Sequence, residues 1–185
     1  MSLTYSEMMP LGTDAPDFTL PDTVSGNPAS LTALKSEVGT VIMFICNHCP
    51  YVIHVEKEMV VIANEYQQKG IAFIAISAND ANNYPEDAPD KMKEKALKES
   101  YPFPYLYDET QEVAKAYQAS CTPDFFVFDG AVKCVYRGRM DDSSPGNGKP
   151  LTGADLRDTL DALVNGTDIS ANQYPSMGCN IKWIK

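Results

Sequence analysis

The chain has 185 residues, 25 acidic and 15 basic side chains, and a formal net charge of -10 with a pI near 4.6. That balance leaves no electrostatic footprint for nucleic-acid phosphates or an anionic membrane surface. The longest apolar run, Val41 to Cys46, is far too short to span a bilayer.

The length predicts one domain over residues 1–185, with a core over about 12–164 and a tail over 165–185. A chain of this size buries enough surface to fold without disulfide staples. The N-terminus shows no basic segment followed by an apolar one, so a cytoplasmic location is expected. Five cysteines, an odd number, point away from a secreted disulfide scaffold and toward thiol chemistry or small buried residues.

Residues 10–30 are rich in Pro, Asp, Gly and Ser and read as an irregular or short-hairpin opening. Thr40 to Ile45 is a compact run of β-formers typical of a central strand. A helix follows, because Val52, Val55, Met59, Ile62 and Tyr66 share one stripe. Lys69-Gly70 ends it, with a glycine suited to a left-handed terminus. Ile71 to Ser77 is a second strand, and Asn79 to Pro89 a polar loop with two prolines. Asp90 to Glu99 reads as an exposed helix, its lysines 91, 93, 95 and 98 forming a solvated face.

The segment Pro102 to Tyr107 is extended by its prolines, and its aromatics cap a core edge. Thr110 to Gln118 is a short helix with Thr110 near its cap. Strands Phe125 to Phe128 and Val132 to Tyr136 are joined by the hairpin signal Asp129-Gly130. Asp141 to Gly153 is a long loop. Thr152 to Val164 is a last helix, with Leu156, Leu160 and Leu163 on one side, and the tail shows no clear period. This order predicts an α/β fold. Its first strand–helix–strand passage is parallel, a later hairpin is antiparallel, and helices cover both faces of a mixed sheet.

The strongest chemical signal is Cys46-Asn47-His48-Cys49, placed where an apolar strand turns into an amphipathic helix. The free N–H groups of a helix's first turn favour a thiolate, which is the nucleophile in disulfide exchange. Cys46, at the strand–helix junction, is the expected attacker. Cys49, one turn inward, resolves the mixed disulfide. His48 stabilises a thiolate and so makes the disulfide more oxidising.

These residues resemble the thioredoxin-fold thiol–disulfide oxidoreductases. The closer likeness is to the branch shared by alkyl-hydroperoxide-reductase/thiol-specific-antioxidant proteins and cytochrome-maturation thioredoxins. Ala15-Pro16-Asp17-Phe18-Thr19-Leu20 resembles that branch's opening motif, and Cys46-Asn47-His48-Cys49 its redox motif. Thr122-Pro123 resembles its cis-proline turn. The likeness covers roughly residues 12–164, and Cys46 to Val52 and the closing Gly178-Cys179-Asn180-Ile181-Lys182-Trp183 resemble an uncharacterised group of such proteins. It implies a three-layer thioredoxin-like fold, a cis Pro123, and a Thr122 backbone that pairs with a substrate peptide as an added strand. It also implies exchange with a protein or small-molecule disulfide, an unidentified dithiol electron donor, and no cofactor.

Two departures bear on chemistry. Ile45 stands where thioredoxin has a tryptophan before its first cysteine. Pro50 gives Cys49 the Cys-Pro of peroxiredoxins, but Cys46 and Ile42 stand where that family has its threonine and proline. Among the three arginines, Arg137 is the best match to the family's arginine, with a surface role the simpler reading.

Two alternatives accompany the oxidoreductase reading. One is a peroxiredoxin-like peroxidase with Cys49 as the peroxidatic thiol and Cys46 as resolver. The other is a Cu(I) or Zn binding protein using Cys46, Cys49 and His48. A pair of cysteines without a second cluster does not complete a tetrahedral zinc site, and His54 pairs more simply with Glu58, so no metal is expected. Cys121 is an auxiliary thiol or a small buried residue. Cys134 packs on one strand face. Cys179 either anchors the tail beside Trp183 or serves as a distal resolving thiol.

Overall fold

The structure, a computed structural model, describes residues 3–185. Strand β1 is Leu3–Tyr5, followed by the hairpin β2 (Thr19–Pro21) and β3 (Pro28–Ser30) and the single-turn helix α1 (Leu31–Leu34). Then come β4 (Gly39–Phe44), α2 (Pro50–Gln67), β5 (Ile71–Ser77), α3 (Pro89–Lys98) and β6 (Tyr105–Tyr107). The second half holds α4 (Glu112–Ala116), β7 (Cys121–Thr122), β8 (Asp124–Asp129), β9 (Cys134–Gly138), α5 (Ala154–Asn165) and β10 (Met177–Asn180). No helix among the described residues is long and apolar enough to cross a membrane.

The central sheet has the order β6-β5-β4-β8-β9. Strands β4, β5 and β6 run parallel, and β8 and β9 are antiparallel to their neighbours, giving the mixed sheet expected. Alternation along β4 divides the core into two layers. Val41 and Met43 pack with Val52, Val55, Met59 and Ile62 of α2 and with Leu156 and Leu160 of α5. Ile42 and Phe44 pack on the other face with Leu31, Ala114 and Tyr117. Every residue of the predicted α2 stripe is buried. Each such side chain is worth roughly 1.5–3 kcal/mol of transfer free energy. Helices on both faces complete the three-layer arrangement.

Several elements differ from expectation for local reasons. Helix α4 is shorter because Gln111 adopts the left-handed region (φ 64) at its N-cap. Thr110 does lie beside that cap, its Oγ1 accepting from the Glu112 N–H at 3.4 Å, while Asp108 accepts from the buried Ala114 N–H at 2.8 Å. The hairpin turn after β8 spans more than Asp129-Gly130. The Asp129 carboxylate accepts from the Ala131 and Lys133 N–H groups, and β9 begins two residues later than predicted. Lys95 is not on a purely solvated face, since it pairs with the buried Glu56 at 2.9 Å. The aromatics of 101–105 do cap a core edge, with Phe103 and Tyr105 buried.

The largest difference is the tail. Met177–Asn180 forms the middle strand of a second sheet, ordered β1-β10-β7. Cys179 stands opposite Thr122, and Asn180 opposite Cys121. The tail continues inward: Ile181 is buried, its N–H donates to Ser120 C=O, and the Lys182 N–H donates to Asn79 Oδ1 at 2.8 Å. Its short, mixed sequence carries no period because adjacent residues face different elements.

Candidate redox site

Strand β4 delivers Cys46 to the rim of the sheet, and a tight turn carries the chain into α2. The helix begins one step later than the motif suggests. Cys49 is its N-cap and Pro50 its first residue, so the first-turn N–H groups face Cys49 rather than Cys46. The Thr122–Pro123 peptide bond is cis, as the resemblance implied. Thr122 faces both sulfurs. Its Oγ1 lies 3.4 Å from Cys46 Sγ, and its carbonyl accepts from the Cys49 thiol at 3.2 Å. All five cysteines are thiols.

Cys46 is 2% exposed and Cys49 is fully buried. They titrate as a pair: one proton leaves easily and the second is held. The low value, about 5, falls on Cys49, because the Cys46 S–H donates to it, with further help from Cys179, the Val52 N–H and Thr122 against burial. Cys46 is pushed well up by the Cys49 sulfur, by burial and by Asp87. The Thr122 carbonyl works in the opposite sense, since it accepts from a thiol and repels a thiolate. Loss of one proton would therefore leave a single negative charge shared by the two sulfurs.

His48 does more than lie between the cysteines. Its Nδ1 sits 2.7 Å from Asp87 Oδ2. The carboxylate lies off the ring's N–H direction, so the contact is an ion pair rather than a linear hydrogen bond. The Tyr84 ring lies parallel to the imidazole with centroids 5.7 Å apart. Asp87 is fully buried and also accepts from the Asn47 N–H and from Asn79 Nδ2, each at 2.7 Å. Asn47 is fixed in turn by Tyr105 OH at 3.1 Å and by Glu86 C=O at 2.8 Å.

The Asp87 contact raises His48 above the ordinary imidazole range, against partial burial. Burial opposes ionisation of Asp87, yet His48, Asn79 and the Asn47 N–H hold its carboxyl below the usual range. His48 favours folding fully below its unfolded pKa of about 6.5, and this contribution is lost as pH rises through the higher folded value. Asp87 contributes above about pH 3.9, and its share is lost as pH falls through the lower folded value. His48→Gln is accordingly expected to cost about 1–2 kcal/mol near pH 6, allowing for partial solvent screening, and almost nothing near pH 9. Thermal melts of both proteins at the two pH values check this; an equal deficit at both would assign His48 a packing role.

Asp87, Asn79 and Asn47 are functional candidates that sequence reasoning missed. Asp87 and Asn79 lie in what reads as a polar loop, Asn47 lies within the dithiol motif itself, and no periodicity marks Asp87 as buried. The prolines at 85 and 89, which bracket a single helical turn and the start of α3, are the only local signal of order.

Other expectations are corrected. Arg137 is not a surface residue but fully buried. Its Nη2 reaches Asp124 Oδ2 at 3.1 Å and Gln118 C=O at 2.7 Å, and its guanidinium covers the Phe126 ring. It is committed beneath the cis-proline turn. His54 does not pair with Glu58. Its Nε2 meets Ser143 Oγ at 2.7 Å, and Glu58 pairs with Arg157. Ser143 belongs to the long loop, so that loop closes against α2. Between them lies an open groove of about 230 Å³ lined by Tyr51, His54, Pro123, Ser143 and Met177.

The remaining cysteines divide cleanly. Cys121 directs its S–H toward Pro123 C=O, and burial and Asp124 push its thiol far up. Cys134 lies in the opposite core layer, where burial pushes it to about 11. Cys179 packs with Cys46 and Cys49, while Trp183 is 39% exposed. Cys46 Sγ, a His48 nitrogen and an Asp87 oxygen also lie within 4.8 Å of one another. His48 and Asp87 already satisfy each other's charge there.

The sequence profile of the AhpC/TSA family matches residues 11–137, from the opening segment through the dithiol to β9. The chain belongs to the AhpC/TSA family. Within it, the chain resembles an uncharacterised conserved protein from Geobacillus kaustophilus at 56% identity and a TM-score of 0.98, covering 100% of this chain and 97% of the other. At fold level this AhpC/TSA chain resembles the thioredoxin domain of a thiol-disulfide oxidoreductase from Bacteroides vulgatus, with 19% identity, a TM-score of 0.58 and coverage of 70% and 89%. It likewise resembles the peroxidoxin BcpB from Mycobacterium tuberculosis, with 19% identity, a TM-score of 0.62 and coverage of 87% and 99%. No curated protein matches the chain. Family membership and fold together support thiol-based redox function.

Proposed function

We propose that the protein is a thiol–disulfide oxidoreductase that cycles Cys46 and Cys49 between dithiol and disulfide. The observation that carries this is geometric: both sulfurs lie against Thr122, one at its hydroxyl and one at its carbonyl. Cys49 takes the proton of Cys46 and passes it into a hydrogen bond with Thr122 C=O. The Cys46 thiolate is then stabilised by the Thr122 hydroxyl. Cys46 attacks a substrate disulfide, forming a mixed disulfide and releasing one substrate thiolate. Cys49 then attacks Cys46 Sγ, forming the Cys46–Cys49 disulfide and releasing the second thiol. An external dithiol restores the pair, and the same steps run in reverse with a reduced substrate. His48, whose protonated form Asp87 favours, lies within 4.8 Å of Cys46 Sγ and favours the thiolate. The groove beside Pro123 accommodates the substrate.

Two facts speak against the peroxidase reading. Cys46 occupies the position of the peroxide-orienting threonine. Arg137 is bound to Asp124 and Gln118 instead of facing a peroxidatic sulfur.

A redox titration tests the proposal. The protein is equilibrated in defined dithiol–disulfide buffers, its free thiols are trapped, and the cysteine peptides are weighed. The peptide bearing Cys46 and Cys49 is expected to lose two hydrogens along a two-electron curve of about 30 mV per tenfold change in equilibrium constant. A Cys49 that oxidises alone to sulfenic acid beside a free Cys46 would refute it.

A further inference from the structure

The edge of Thr122, which the sequence reading left for a substrate strand, is occupied by the chain itself. Strand β10 runs antiparallel to β7 and sets Cys179 directly opposite Thr122. The fit is close. A Cβ on Gly178 would fall 1.9 Å from Thr122 O and 3.3 Å from Pro123 Cδ, so only glycine lets the strand lie this near the turn. Cys179 is 5% exposed, packs in the same core cluster as Cys46 and Cys49, and hydrogen-bonds the Cys49 sulfur. The strand is anchored beyond Cys179 through Lys182, whose N–H meets Asn79 Oδ1 and whose carbonyl accepts from Gln111 Nε2 at 2.8 Å.

We propose that Cys179 is a third redox thiol of this site and that β10 is a built-in substrate strand, presenting Cys179 to Cys49 along Thr122. This rests on the reading of Cys46 and Cys49 as a redox pair. Once those two are oxidised, the Cys179 thiolate attacks Cys49 Sγ. The Cys179–Cys49 bond forms and the Cys46–Cys49 bond breaks. The electron pair leaves on Cys46 Sγ, which takes up the proton Cys179 lost. No electron is gained or lost overall, so the step needs no oxidant beyond the one that made the first disulfide.

The charge changes run the right way. In the dithiol state burial and the Cys49 charge push Cys179 up to about 12, which keeps it an inert thiol. Oxidation removes the charge on Cys49, while Lys182 continues to favour the Cys179 thiolate. Cys179 is therefore activated only when there is a disulfide to attack. The exchange moves the disulfide inward and returns a free Cys46 to the rim.

The test uses glutathione disulfide on the full chain, followed by acid quenching and peptide mapping. In Cys46→Ser the expected product is a Cys49–Cys179 link, with two glutathiones released per chain. Gly178→Val, which displaces the strand, is expected to lose any link to Cys179 while retaining Cys46–Cys49. The proposal is overturned if Cys46→Ser stops at a glutathione adduct on Cys49 with Cys179 still free. It is also overturned if the Gly178→Val chain links Cys179 as fast as the parent. The Cys179→Ser chain separates the two ideas: failure to form Cys46–Cys49 there refutes the dithiol reading itself. Should Gly178→Val not fold, the Cys46→Ser result decides alone.

Discussion

Replacing Arg137 with methionine is expected to lower the unfolding free energy by about 3–5 kcal/mol. For a chain of this length that is a fall in melting temperature of roughly 6–20 °C. The side chain is fully buried and faces an equally buried Asp124. Removing the guanidinium strands a carboxylate without solvent and leaves Gln118 C=O without its donor. Burial already pushes Asp124 up to about 7 against the pull of Arg137. An acid whose folded pKa lies above its unfolded value binds more protons when folded between the two. Stability therefore falls as pH rises from about 4 through that value. Without Arg137 the window widens upward, so the deficit is expected to be larger near pH 8 than near pH 5. Adding Asp124→Asn to the methionine variant is expected to recover part of the loss. Chemical denaturation at the two pH values reads all of this. A loss below about 1 kcal/mol would mean that solvent reaches the pair.

The position of that pair matters for the site. Asp124 follows the cis proline directly, so the turn that presents Thr122 to the dithiol rests on a buried charge pair. The sequence shows Arg137 on a strand but not which way it points. A change of one residue in strand register turns a side chain from solvent to core. The expected hairpin had its second strand two residues early, and the meeting of a buried arginine with an aspartate thirteen residues upstream follows only from the pairing of β8 with β9, which sets Arg137 opposite Phe126.

Other parts were legible because local rules and tertiary packing agree. Thr40 to Ile45 reads as a central strand, and Gly39–Phe44 forms one, since both faces of β4 are covered. The Val52-to-Tyr66 stripe reads as a helix face and packs as predicted. The cis-proline turn came from resemblance, not from periodicity. The site's outer ring did not show itself. Asp87 and Asn79 are polar residues in a polar stretch, and their burial is decided by His48 and Lys182, far away in sequence. The tail strand was also hidden, because four residues with one glycine carry no strand signal until β1 and β7 flank them.

The catalytic claim reduces to the two sulfurs at Thr122. Each has a distinct task in the proposed cycle, so each is indispensable. Cys46→Ser removes the nucleophile at the rim. Cys49→Ser removes the proton acceptor and the resolving thiol, so Cys46 loses its route to the thiolate and its mixed disulfide persists, because Cys179 is presented to Cys49 and not to Cys46. Both variants are expected to lose on the order of 10³-fold or more in disulfide turnover, the Cys49–Cys179 link of Cys46→Ser forming too slowly to sustain a cycle, with little added loss in the double variant, because residues acting as one unit are not additive. Cys49→Ser is also expected to accumulate the mixed disulfide on Cys46, a trapped intermediate that Cys46→Ser cannot form.

The most direct measurement is therefore turnover of a peptide disulfide and of hydrogen peroxide by the parent chain, Cys46→Ser and Cys49→Ser, with a dithiol as reductant. The account predicts disulfide turnover in the parent, its loss in both variants, and peroxide consumption too slow to compete. Fast peroxide consumption that survives in Cys46→Ser and vanishes in Cys49→Ser would contradict it and make Cys49 a peroxidatic thiol.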